Sequence, residues 1–396
     1  MNLRSSLLLV FLFLGTGNFI KAETVLIGLE QLGTPYIASF RLAQGSYRVL
    51  ASDKEILSKD QVHVVELKMD KNGITLLSNG KSYGPFKELK FRIDEWDSEF
   101  RLKAVQPKSK DHIYQDNLIV KAGKLGMVFI NEVNIEKYVA GVVESEGGAN
   151  KPLEYYKVQS IISRTYMLAN KRRHIFEGYH VCDQVHCQVY HGKSRFDENI
   201  PQAAWETKGS VLVDGEIELI TAAFHSNCGG RTSDSETIWT KPLSYLKSRE
   251  DSFCLHQPHS HWEKSIESKS WLSYLERKHK VRLEDKSTEE AVLAYFPSEK
   301  TRYFQAGDLK IPLTEVRKDW KLKSSFFTIY EDADSVKFTG RGFGHGVGLC
   351  QEGAMKMAEL GFSFNEIIHF YYTDVHLIQL SVIDFFRDEE DGFLLH

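Results

Sequence analysis

The chain has 396 residues, 42% of them hydrophobic and 26% charged, so it can bury a sizeable core and is neither disordered, collagenous nor a disulfide knot. Its 50 basic and 54 acidic side chains leave a formal net charge of −4, and no basic run is longer than Lys171-Arg172-Arg173. No nucleic-acid footprint is visible, and a neutral or uncharged polymer fits better as a substrate.

The first 22 residues stand apart. Arg4 precedes an apolar run from Leu7 to Leu14, followed by Gly15, Gly17 and a small residue, Ala22. This pattern predicts a signal peptide and an exported protein, in the periplasm, the cell envelope or outside the cell. No later stretch reaches the roughly 20 apolar residues of a membrane helix, so no transmembrane segment is expected. Five cysteines are an odd number, so at least one lies outside any intramolecular disulfide.

Residues 23–125 read as a β-rich region, with alternation in Val62 to Met69, short apolar runs such as Leu118 to Val120, and turns at Asn72-Gly73 and Asn79-Gly80. From 126 to 380 the pattern turns mixed. A short helix is predicted over Ile135 to Val143 and is broken by Glu144-Ser145-Glu146-Gly147-Gly148; a long one opens at Pro152 and runs to about Arg173, with Val158, Ile161, Ile162, Thr165, Leu168 and Ala169 as its buried stripe. Val211 to Val213 and Ile217 to Ile220 flank Asp214-Gly215 as a predicted hairpin. Residues 264–300 hold two helical patterns and read as a peripheral insertion, the second helix with a Ser287/Glu290 capping box. A helix over about 351–360 stops at Gly361, a last helix starts at Ser363 with Glu366 three positions on, and 381–396 is a tail. The fold class is therefore α+β: a β-rich N-terminal region, then a mixed α+β region with a helical insertion.

Two clusters carry potential chemistry. In the run from Gly340 to Gly348 every second residue is glycine, which on an extended strand leaves one face bare and turns Arg341, Phe343, His345 and Val347 to the other. The run fits neither a dinucleotide fingerprint nor a phosphate loop. Between His174 and Cys187 lie His180, Cys182 and His186 as well; imidazoles and thiolates so close together fit tetrahedral zinc, and a Cys182 to Cys187 disulfide is the alternative in an oxidising compartment. Cys228, Cys254 and Cys350 read either as buried apolar residues or as containing a pair.

Three blocks, VNIEKYVAGVVESEGG with PLEYYKVQSIISRTYMLAN, AFHSNCGGRTSDSETIW, and GRGFGHGVGLCQEGAMKMAELGFSFNEIIHFYY, resemble the SpoIID/LytB family, named for sporulation stage II protein D and an amidase enhancer. The resemblance covers roughly residues 125–377. It implies a lytic transglycosylase acting on peptidoglycan glycan strands, or, as the alternative, a non-catalytic enhancer of a cell-wall amidase. It assigns the general acid and base to Glu146, with Glu144 a second acid two residues away. One acid suffices when the muramyl 6-hydroxyl closes onto its own anomeric carbon, provided that a poorly solvated cleft raises its pKa. The resemblance further implies zinc on His174, Cys182, His186 and Cys187, and sugar contacts from Ser226 and Asn227. Gln159 and Arg164 match family positions and are expected at the substrate, Arg164 orienting Glu146 or Glu144; Arg341 and His345 are expected along the glycan from the glycine run.

Overall fold

The computed structural model describes residues 23–383; the expected signal peptide and residues 384–396 of the expected tail lie outside them. Two sheets build the N-terminal half. One orders Val181–Cys182, Thr24–Gly28, Met127–Asn134, Asn117–Ala122, Glu88–Ile93, Tyr47–Ala51 and Lys54–Leu57; the other orders His112–Gln115, Glu99–Gln106, Ile37–Gln44, Val64–Asp70, Gly73–Ser78 and Lys81–Phe86. Alternating burial along these strands turns one face of each sheet inward, and Phe40 of one sheet stacks on Phe91 of the other at 4.5 Å between ring centroids. Asn79-Gly80 makes the expected two-residue hairpin, both residues with positive φ.

The expected boundary at 125 falls inside a hairpin. Met127–Asn134 pairs with Asn117–Ala122 on one side and with Thr24–Gly28 on the other, and one hydrophobic core contains both Val25 and Val375. The β-rich region is thus continuous with the mixed α+β region. Strand Met127–Asn134 runs directly into helix α1 (Ile135–Gly147), capped by the Asn134 side chain, which accepts from the Glu136 and Lys137 N–H groups. Helix α2 (Leu153–Ala169) packs on α1 and buries the predicted stripe of Val158, Ile161 and Ile162.

Helix α1 does not stop at Val143. Glu144, Ser145 and Glu146 tolerate helix, and the chain leaves it only at Gly148, whose φ is +70° and whose N–H returns to Glu144 O at 3.1 Å. The predicted hairpin at Asp214-Gly215 also differs: Ser210–Val213 takes its ladder from His376–Gln379, leaving one bridge, Val213 to Leu219, across the turn. The insertion is wider than 264–300. A second core, with Trp271 and Phe338 among its buried residues, lies between helices Ser268–His279, Lys286–Leu293 and Leu313–Asp319 and a sheet of His261–Glu267, Ser335–Arg341 and Phe327–Asp332. Its strands come from both sides of the helical patterns. Asp285, not Ser287, caps the second of those helices, accepting from Ser287 N. The box of Ser363 and Glu366 on helix Phe364–Tyr371 is as expected.

Candidate active site

The last turn of α1 delivers its two acids to different places, because residues two apart on a helix do not share a face. Glu144 Oε2 accepts from Ser194 Oγ at 2.9 Å and from the Arg195 and Phe196 N–H groups at 2.7 and 2.8 Å, so this carboxylate anchors a loop. Glu146 faces a cleft of about 380 Å³ lined also by Tyr166, His186, His225, Phe343 and His345. It is the single carboxylate in that lining among the described residues. Burial pushes its pKa up from the usual carboxylate value, and one hydrogen bond, from Val189 N–H to Oε1 at 2.8 Å, opposes the shift. The arrangement is a partly buried acid facing open space, with its pKa shifted in the direction that a proton donor needs.

The opposite wall comes from residues about 200 positions away. The glycine run is not the expected strand. Strand Ser335–Arg341 ends at its start, and Gly342, Gly344, Gly346 and Gly348 all have positive φ, so the chain coils and its odd and even residues do not sort onto two faces. Close approach explains one of these glycines directly: a Cβ on Gly344 would stand 2.7 Å from His225 Cβ. The coil brings His345 beside His225, with ring centroids 5.4 Å apart, and beside Trp239 at 5.2 Å.

Burial pushes the His225 pKa well below its usual value, assisted by His345, and pushes His345 down to about 4. Both rings are therefore neutral near pH 7. His225 Nδ1 donates to Val347 O at 3.1 Å, which leaves Nε2 as an acceptor with no partner among the described residues. Trp239 and Arg317 are cleft residues that sequence patterns did not assign to the site, and Arg317 arrives from the insertion. Nothing in local spacing marks them, since each reaches the cleft through tertiary packing.

Residues 124–213, which hold α1, α2 and the His/Cys cluster, match the family model described as Stage II sporulation protein, SpoIID. That segment is similar to the SpoIID family. Stage II sporulation protein D of Bacillus amyloliquefaciens is 29% identical over 264 residues, covering 63% of this chain and 75% of that protein. An uncharacterised protein of Brachyspira hyodysenteriae is 29% identical over 65% of this chain and 70% of its own length. The amidase enhancer of Bacillus subtilis is 29% identical over 60% of this chain, which spans 40% of that longer protein.

Within residues 124–213 the structure corrects two expected substrate contacts. Arg164 is fully buried and pairs with Glu136, not with Glu146 or Glu144: Nε lies 3.2 Å from both Glu136 oxygens, Nη2 donates to Glu136 Oε2 and, at 3.0 Å, to Ala204 O, and Nη1 donates to Ser210 O at 3.0 Å. A guanidinium inside a core needs such a carboxylate, and the capped first turn of α1 supplies it. Gln159 is also fully buried and does not line the cleft. Outside the domain match, Asn227 is a buried strut, bonding Cys254 O, Glu352 and Gly229 N–H, whereas Ser226 does line the cleft. Arg341 is exposed, its guanidinium 4.2 Å from the Phe326 ring centre, on a neighbouring surface.

The His/Cys cluster sits at one rim of the same cleft, which His186 and Cys187 help line. One donor atom each from His174, Cys182, His186 and Cys187 falls within 4.8 Å of the others, with Cys182 Sγ to His186 Nε2 at 3.2 Å and Cys187 Sγ to His174 Nε2 at 3.4 Å. Tetrahedral zinc with ordinary Zn–S and Zn–N bonds needs donors about 3.3–3.8 Å apart, so the set fits. The Cys182 and Cys187 thiols are free rather than bonded to each other. Cys187 N–H bonds Gln184 O, a turn that lets adjacent residues 186 and 187 point to one centre. His180 is held elsewhere: its Nδ1 accepts from Leu26 N–H at 3.1 Å.

Proposed function

We propose that the protein is an exported, peptidoglycan-active lytic transglycosylase that cleaves the bond between MurNAc and GlcNAc of glycan strands, with Glu146 as both acid and base. The observation that carries this reading is the lone, partly buried carboxylate in the cleft. Hydrolysis ordinarily uses two carboxylates flanking the bond, whereas internal closure needs one. The Glu146 acid donates its proton to the glycosidic oxygen as the bond to C1 breaks. Its carboxylate then takes the proton of the muramyl 6-hydroxyl as that oxygen bonds C1, leaving a 1,6-anhydro end and restoring the acid. Ser226, which lines the cleft, is placed to accept hydrogen bonds from sugar hydroxyls.

A structural zinc on His174, Cys182, His186 and Cys187 belongs to this reading: four protein ligands leave no position for a reactive water, so its part is to hold the 182–190 segment whose Val189 N–H orients Glu146. The similarity to an amidase enhancer supports a second reading, a non-catalytic glycan binder with a cell-wall amidase as partner. Digestion of purified glycan strands, with and without stem peptides, separates the two. Products lighter by one water than hydrolytic fragments establish the transglycosylase; bound but uncut strands establish the binder.

A further inference from the structure

The three cysteines outside the His/Cys cluster meet in the structure. Cys228 follows strand Phe224–His225, Cys254 ends the short turn Ser252–Cys254, and Cys350 ends strand Leu349–Cys350. With Asp251 they place one ligand atom each within 4.8 Å of the others, and all four residues are buried. Cys228 Sγ is 3.4 Å from Cys254 Sγ and 3.2 Å from an Asp251 carboxylate oxygen.

We propose that Cys228, Cys254, Cys350 and Asp251 form a second metal site, holding one zinc-class divalent ion in a closed, structural role. Three thiols and a carboxylate cannot all ionise in a buried space without a cation, and this donor set is the one a thiophilic divalent ion prefers. The two separations are a few tenths of an ångström shorter than the edges of a tetrahedron about such an ion, so small outward shifts would seat it. A surrounding set of donors is already in place. Cys228 N–H donates to Cys350 Sγ at 3.2 Å and Gly230 N–H to Cys254 Sγ at 3.3 Å, while Tyr371 Oη and Phe253 N–H donate to the two Asp251 oxygens, each at 3.0 Å. Such outer contacts fix ligands in their binding orientation. The backbone makes room as well: a Cβ on Gly353 would stand 2.5 Å from Asp251 Oδ2 and 2.2 Å from Tyr371 Oη. Each thiol that binds the ion releases its proton to solvent.

The consequence lies in the cleft. Ser226, two residues before Cys228, and Gln351, next to Cys350, both line it, and Gln351 Nε2 reaches Glu146 O at 3.4 Å. An ion at this cluster would tie three segments, up to 122 residues apart, into one rigid wall facing Glu146. The competing state is a Cys228 to Cys254 disulfide, which requires the two sulfurs to close to about 2.05 Å and leaves Cys350 over.

The test counts metal and does not depend on the glycan reaction. Chelator-free H174A/C187S protein, with the first cluster removed, is expected to keep about one zinc per chain and to lose it when C350S is added. If those variants do not fold, X-ray absorption at the zinc edge of the intact protein reads the same point: two occupied sites average about 2.5 sulfur ligands per zinc, and the first cluster alone gives about 2. A metal-free H174A/C187S protein, a sulfur count of about 2, or a Cys228 to Cys254 disulfide in non-reducing peptide maps overturns the proposal.

Discussion

The two walls of the cleft are built by opposite means. On the Glu146 side everything that matters lies between Asn134 and Tyr190: a capped helix that ends at Gly148, the Val189 N–H that orients the acid, and four His and Cys donors within fourteen residues. On the His345 side the lining comes from the 221–226 segment, Trp239, Arg317 and the 343–351 coil, and its four-donor cluster spans 228 to 350. The first wall costs little loop closure, because its parts are neighbours along the chain. The second is assembled from distant segments and depends on backbone shapes that only glycine takes easily, so its rigidity rests on packing and cross-links rather than on local propensity.

Substitutions should separate the walls by what they break. The largest effect is expected from E146Q, which keeps the shape and the Val189 contact but cannot carry the proton; turnover of glycan should fall about 10²- to 10⁴-fold with binding retained. E144Q should leave turnover within a small factor, since that acid serves a loop, and equal losses in the two variants would abolish the distinction between them. C187S should remove about one zinc per chain, read by metal analysis, and lower the unfolding midpoint steeply, because the free energy of a structural metal site is also folding free energy. An unchanged metal content would mean that this cluster holds none.

R164M should cost about 3–5 kcal/mol in denaturant unfolding by stranding Glu136 in the core, while turnover per folded molecule stays near the parent value. A loss of substrate affinity without a loss of stability would return Arg164 to the substrate. On the far wall, G346A should destabilise by about 1–2 kcal/mol because φ there is +82°, and it should reduce turnover as well by disturbing the coil that presents His345. The smallest effect concerns Glu146 and pH. A carboxyl with a raised pKa in the folded state contributes stability below its unfolded pKa and loses it as pH rises through the folded value. Thermal melts should therefore show E146Q gaining on the parent as pH rises from about 4 to about 7; a difference constant in pH would mean that burial does not perturb this acid.

The contrast between the walls also sorts what could be read in advance. The alternation of the N-terminal strands, the Asn79-Gly80 turn, the buried stripe of α2 and the Ser363/Glu366 box all follow from rules that act over a few residues. The His174 to Cys187 donors were legible for the same reason. Local reasoning failed where a distant partner made the choice. The glycine run alternates as a strand would, yet it packs onto the 223–229 segment and coils there. Arg164 has the position of a cleft residue, but Glu136, 28 positions earlier, takes its charge.

By itself, then, the sequence determined the α+β class, part of the strands and helices, one cluster of metal-type donors and the short list of acids, because periodicity, turn chemistry and ligand spacing are properties of near neighbours. Tertiary structure alone decided that Arg164 pairs with Glu136, that Arg317 joins the cleft, and that Cys228, Asp251, Cys254 and Cys350 meet. Those outcomes depend on which surfaces pack against one another, and the free energy of that packing is spread over a core that includes both Val25 and Val375 rather than written at any one site.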